Sequence, residues 1–163
     1  MLNKAREFAI KAHGEQKYGS EPYIVHLDAV VNNLQAYDQT AQIVGYLHDV
    51  MEDTEITYED IKENFGGFVA DCVAIVTDEP DSNRKERKAK TYEKMANVTG
   101  DLELALIVKA ADRLANLQAC IKGGNAKLLN QYRDEQSAFK TAAYRRNKCE
   151  DIWQEIERII NLE

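Results

Sequence analysis

Apolar residues recur at intervals of three and four along almost the whole chain, the period of one face of an α-helix. Leu2, Ala5, Phe8, Ala9 and Ala12 form one such stripe, and Leu27, Val30, Val31 and Leu34 a second. Ile43, Leu47, Val50 and Met51 form a third, predicted to run as one helix to about Asp53-Thr54. Thr57 with Asp60 three positions on predicts a capped helix start, and Gly66-Gly67 its stop. Phe68 to Thr77 is read as helix, although its β-branched residues leave a strand open. Lys85 to Val98 is a polar helix closed by Gly100. Asp101 then caps a long helix through Leu104, Ile107, Val108, Ala111, Leu114 and Leu117, which Gly123-Gly124 ends. Ala126 to Arg146 and Glu150 to Leu162 supply the last helices. Strand alternation and Asn-Gly hairpin signals are absent, and there are two prolines. The expectation is an all-α fold: a single compact domain over residues 1–163, a bundle of about eight or nine helices.

At 163 residues the chain is long enough to bury a real core. No run of about 18 apolar residues exists, so no membrane span is predicted, and no signal peptide is expected ahead of the first helix. Cys72, Cys120 and Cys149 are scattered and odd in number, which suggests core positions in a reducing, cytoplasmic setting. A net charge of −7 argues against general nucleic-acid binding. That charge is uneven: Ser82 to Lys94 holds six cations against two carboxylates, a +4 segment in a chain that is −11 elsewhere. Such a run is either a solvated helix face or a local site for a compact anion such as phosphate. A small-molecule partner is expected, and a homo-oligomer is left open.

Three segments carry residues suited to chemistry. His48-Asp49-Val50-Met51-Glu52-Asp53 sets four polar groups on an apolar helix, with His48 above Glu52 and Asp49 above Asp53 at the four-residue spacing. Buried carboxylates cost several kcal/mol unless a cation or hydrogen bonds compensate, and a metal would do so. The plainer alternative is an acidic helix end with a surface histidine. His26 follows Pro22-Tyr23 at the start of an apolar helix, where it is either a cap or a ligand. Asp112 stands inside an apolar helix with Asn116 one turn later; it either binds something or pairs with Lys109 or Arg113.

In this order these segments resemble the HD superfamily, and within it the hydrolase domain of RelA/SpoT homologues, especially small stand-alone alarmone hydrolases of the metazoan SpoT-homologue kind. The supporting text is Phe8-Ala9 with His13 and Gln16, then Pro22-Tyr23 and His26. His48-Asp49 with Glu52-Asp53-Thr54, Phe65-Gly66 and Val76-Thr77-Asp78 follow. Arg87-Lys88 and Ala111-Asp112-Arg113-Leu114 with Asn116 complete it. The resemblance implies that His26, His48, Asp49 and Asp112 bind a divalent metal, manganese being usual, while the donor set alone also suits Fe²⁺ or Zn²⁺. It implies that Glu52 and Asp53 orient or deprotonate a water, and that Asn116 positions a ribose or phosphate oxygen.

Basic residues usually follow the first-loop glutamine in these relatives, one of them packing on guanine. Here Lys17 and Tyr18 occupy that loop, with Tyr18 near the place of an arginine and expected to pack on the base. Arg87-Lys88 matches a basic pair, and the segment from Arg84 to Lys94 is expected to fold over the metal and hold distant phosphates. Tyr132 and Arg133 fall near late substrate contacts, and His13 is read as structural. The implied activity is that of a (p)ppGpp-like alarmone 3′-pyrophosphohydrolase. The alternatives are a nucleotide phosphatase acting on NADPH or a nucleoside monophosphate, and a catalytically silent nucleotide-binding module.

Overall fold

The computed structural model describes residues 1–162. Among them are ten α-helical segments, one of which is a single turn, and one two-stranded sheet. Helix α1 spans Leu2–His13, α2 Ile24–Asn33, α3 Gln39–Leu47 and α4 Val50–Asp53. Helix α5 covers Tyr58–Phe65, α6 Gly67–Val76, α7 Arg84–Ala96, α8 Leu104–Gly123, α9 Ala126–Ala143 and α10 Glu150–Ile160. The local signals behave as their chemistry requires. Thr57 and Asp60 make a reciprocal capping box on α5, and Gly124 closes α8 in the left-handed conformation.

Three elements depart from the sequence reading. The expected helix through His48 is broken: α3 ends at Leu47, His48 and Asp49 form a turn, and α4 resumes for four residues. The one-turn alignment of His48 over Glu52 therefore does not apply. A 3₁₀ turn over Gly100–Glu103 leads into α8, where a cap at Asp101 was expected. Finally, β1 (Lys17–Tyr18) and β2 (Glu21–Pro22) form a small antiparallel hairpin where no strand was predicted. Two-residue strands are too short to show alternation, and their pairing depends on the anchored chain on either side.

The longest helix is also the most buried: α8 is enclosed from Ala105 to Leu117 at nearly every position, with α2, α3, α6, α9 and α10 packed around it. That arrangement explains its apolar sequence and makes any charge on it informative. Helices α2 and α3 approach closely at Gly45, where a Cβ would lie 2.9 Å from Leu34 Cδ1 and 3.3 Å from Val31 Cγ2. Leu34 is fully buried and cannot swing away, so the missing side chain is what lets the end of α3 reach α2. The C-terminal helix α10 packs on α8 and α9 and shares the same core through Ile152, Trp153 and Ile156. No helix among the described residues is long and apolar enough to cross a membrane.

Candidate metal centre and cleft

Four polar side chains from three parts of the chain converge at the middle of the bundle. His26 comes from the first turn of α2, His48 and Asp49 from the break between α3 and α4, and Asp112 from the centre of α8. His48 Nε2 lies 2.9 Å from Asp49 Oδ2 and 3.6 Å from Asp112 Oδ1. His26 Nε2 lies 3.7 Å and 3.3 Å from the same two oxygens. His26, His48 and Asp49 each offer one donor atom within 4.8 Å of the others.

The tautomer of His48 follows from its other nitrogen. Nδ1 donates to the Gly45 carbonyl at 2.8 Å, which leaves the Nε2 lone pair facing the cluster. Nε2 is buried and makes no well-directed hydrogen bond although Asp49 Oδ2 lies 2.9 Å away, a costly arrangement for a polar atom unless a ligand completes it. Two imidazoles and two carboxylates fit a divalent cation. Neighbours hold the carboxylates in place. Tyr23 Oη donates to Asp49 Oδ2 at 2.6 Å, and Asn116 Nδ2 to Asp112 Oδ1 at 2.7 Å. Lys109 Nζ lies 3.2 Å from Asp112 Oδ2. Burial opposes ionisation of Asp49, but His48 overrides it and holds its carboxyl below the ordinary range. Asp112 is likewise depressed against burial, chiefly by Lys109 and then His48. The same two carboxylates push His48 up in spite of burial, so a proton and a cation compete for its Nε2.

The cluster opens into a cleft of about 240 Å³. One wall is acidic and belongs to α4. Glu52 Oε2 accepts from the Asp78 backbone N–H at 2.9 Å, and burial together with the Asp78 charge pushes the Glu52 carboxyl up. Asp53 Oδ2 accepts from Gln16 Nε2 at 2.9 Å. The cleft also has a basic lining: Arg84 and Lys88 from α7 and Lys109 and Arg113 from α8, both pairs at helical four-residue spacing. Arg84 Nε donates to Glu135 Oε1 at 2.8 Å, and Lys88 Nζ lies 2.6 Å from Asp78 Oδ2. The Arg113 guanidinium is held between the rings of Tyr132 and Phe139, 4.6 and 4.3 Å from their centroids.

Of the residues singled out from sequence, His26, Asp49, Asp112, Glu52, Asp53, Tyr18, Lys88 and Asn116 line the cleft, with His48 buried directly beneath it. Lys17, Arg87 and Arg133 do not reach it. Lys17 is exposed on the hairpin, and Arg87 faces away, its place beside Lys88 taken by Arg84 one turn earlier. Tyr18 is there but engaged: its ring stacks on His26 at 4.7 Å with 14° between planes, and its hydroxyl donates to Asn116 Oδ1 at 2.7 Å. One face of the ring is thus already covered. Tyr132 lines the cleft, whereas Arg133 donates to the Ile160 carbonyl. Arg84 reaches the cleft as the first residue of the basic segment, whereas the sequence reading gave Tyr23, Lys109 and Arg113 no place in it. The available signal is Lys109 and Arg113 four apart on an apolar helix, a spacing that also fits counter-ions for Asp112.

The chain is similar to several known proteins. A family model described as HD domain matches residues 5–145. Guanosine-3′,5′-bis(diphosphate) 3′-pyrophosphohydrolase of Aquifex aeolicus is 39% identical over 120 residues, covering 72% of this chain and 17% of that protein. A probable enzyme of the same name from Synechocystis sp. is 36% identical over 124 residues, covering 72% and 16%. The chain therefore spans about a sixth of the length of these curated relatives. Among solved structures, a metazoan ortholog of SpoT described as hydrolysing ppGpp superposes with a TM-score of 0.82 at 25% identity, covering 97% of this chain and 92% of that one. Protein lmo0812 from Listeria monocytogenes superposes with a TM-score of 0.68 at 27% identity, covering 86% and 94%.

Proposed function

Because the chain belongs to the HD-domain family, we propose that it is a metal-dependent phosphohydrolase that removes the 3′-pyrophosphate of guanosine 3′,5′-bis(diphosphate), with His26, His48, Asp49 and Asp112 as metal ligands and Mn²⁺ as the ion. The observation that carries this reading is the buried, unpartnered Nε2 of His48 aimed into a cluster of two carboxylates and a second imidazole. The named activities of the Aquifex relative and the metazoan ortholog supply the substrate class. Packing of α10 on α8 and α9 supports reading residues 1–163 as one HD-type domain. Three buried free cysteines support a reducing, cytoplasmic location.

A divalent cation bound at this cluster would lower the pKa of a water and screen phosphoryl oxygens. Glu52 and Asp53, on the acidic wall, accept the proton that the attacking water loses. The raised Glu52 carboxyl is a stronger base than an ordinary glutamate. Arg84, Lys88 and Arg113, on the basic lining of the same cleft, receive the two phosphates of the leaving group. Lys109 neutralises Asp112 and holds it in the ligand position. Tyr18 closes the His26 side against water. Three cations arranged for anions suit a diphosphate better than a single phosphate, which favours pyrophosphate release over the phosphatase alternatives.

The test is turnover by Mn²⁺-loaded protein on guanosine 3′,5′-bis(diphosphate), NADPH and nucleoside monophosphates. The expected result is release of pyrophosphate and guanosine 5′-diphosphate, at a kcat/KM well above that for the other two classes. Full metal occupancy with no pyrophosphate release would refute the assignment.

A further inference from the structure

Asp53 is tied to a segment far away in sequence, and the tie runs through side chains the proposed chemistry does not use. Its Oδ2 accepts from Gln16 Nε2 at 2.9 Å, and Gln16 Oε1 meets His13 Nδ1 at 2.8 Å. The directions are forced. An ionised carboxylate only accepts, so the Gln16 amide must turn its NH₂ toward Asp53 and its oxygen toward His13. His13 therefore donates from Nδ1. His13 is itself immobile: it is buried, and its ring stacks on Tyr23 at 4.4 Å with 25° between planes. Tyr23 in turn donates to Asp49.

We propose that Gln16, oriented by His13, is a positioning residue that holds the Asp53 carboxylate toward the attacking water; this rests on the role given to Asp53 above. Two further observations favour it over a purely structural staple. Backbone bonds already close the loop without the side chain, since Gln16 N donates to the His13 carbonyl at 3.0 Å and Tyr23 N to the Gln16 carbonyl at 3.1 Å. Asp53 also needs an external anchor: it is the last residue of a one-turn helix, exposed, and followed by extended backbone at Thr54. A carboxylate so placed would rotate about χ1 unless something fixed it. The chain from His13 to Asp53 and the contact from His13 through Tyr23 to Asp49 share one buried ring. They therefore set the acidic wall and the metal cluster in a common register.

Misplacing a reacting group by about an ångström can cost roughly 100-fold in rate, so Gln16→Ala should lower kcat by about 10- to 100-fold. KM should stay within about twofold and metal stoichiometry should not change, because neither phosphate contacts nor ligands are touched. His13→Asn, whose amide can donate from nearly the same point as Nδ1, should keep most of kcat, while His13→Leu should fall as far as Gln16→Ala. In an Asp53→Asn background Gln16→Ala should have almost no further effect, since groups acting as one unit are not additive. A readout independent of turnover is the His13 imidazole in two-bond ¹H–¹⁵N spectra: the Nδ1–H tautomer is expected in the parent protein and lost in Gln16→Ala. Equal losses from Gln16→Ala in the parent and Asp53→Asn backgrounds would overturn the inference, as would a rise in KM matching the fall in kcat. If Asp53→Asn is impaired but Gln16→Ala is kinetically silent, the inference alone fails. If Asp53→Asn itself turns over normally, the role assigned to Asp53 fails and takes the inference with it.

Discussion

Replacing Arg84 by alanine, with Arg87→Ala as its control, separates a built phosphate wall from a generally basic helix. The two arginines are three residues apart on α7, but Arg84 lines the cleft and Arg87 does not. A charge-assisted contact to phosphate contributes about 1.5–3 kcal/mol, or roughly 10- to 150-fold in affinity. Arg84 should fall at the low end. Its side chain is 37% exposed, and it must share its guanidinium with Glu135, bonded at 2.8 and 3.3 Å. The expected effect is about a tenfold rise in KM for guanosine 3′,5′-bis(diphosphate), with metal content unchanged. Folding should hardly suffer, by less than about 1 kcal/mol, because the pair is partly exposed. Glu135 also keeps the Arg113 guanidinium at 3.3 Å and is not orphaned. Arg87→Ala should leave KM within about twofold. The assay is steady-state pyrophosphate release at low and high salt, since a true phosphate contact weakens as salt rises. An unchanged KM in Arg84→Ala, or equal rises in both variants, would refute the assignment of this wall.

Other outcomes follow from the same geometry. Glu52→Gln combined with Asp53→Asn should lower kcat by about 100-fold or more while the protein still binds one metal ion per chain by elemental analysis, as expected when general bases and not ligands are removed. Asp112→Ala should abolish metal binding. It should also cost about 3 kcal/mol in denaturant unfolding, because it strips the nearest counter-charge from the buried Lys109. Asp28 has its pKa lowered first by the hydrogen bond from Arg6, then through Tyr46. A depressed carboxyl stabilises the fold above its unfolded value of 3.8 and loses that contribution as pH falls through the folded value. Asp28→Asn should therefore be less stable than the parent at neutral pH, by no more than about 1 kcal/mol for so exposed a pair. The two unfolding curves should converge below pH 3.8.

The helical fold and most of its boundaries were legible in the chain because they depend on short-range physics. Three-and-four spacing needs only the helix repeat, and Thr57, Gly66 and Gly124 act on backbone groups within a few residues of themselves. Candidate ligands were legible for a related reason: Asp112 is a misfit in the apolar run of α8, and His48-Asp49 a misfit at the end of α3. What the linear pattern does not hold is which way a side chain faces when both sides of a helix carry charge. On α7, Arg84, Arg87 and Lys88 are chemically alike, and packing of α7 against α6 and α9 decides that Arg84 and Lys88 face the cleft. The turn at His48-Asp49 likewise has no breaker residue to announce it; it forms where Gly45 lets α3 close on α2 and where His48 and Asp49 gain partners from α2 and α8. Tyr18, free by sequence to stack on a ligand, spends one face on His26 because the hairpin carries it there. Local periodicity and caps reside in the sequence; the facing of like charges and the pairing of aromatic rings come from contacts beyond the helical repeat, such as Tyr18 on His26 and Arg84 on Glu135, which only the folded chain brings together.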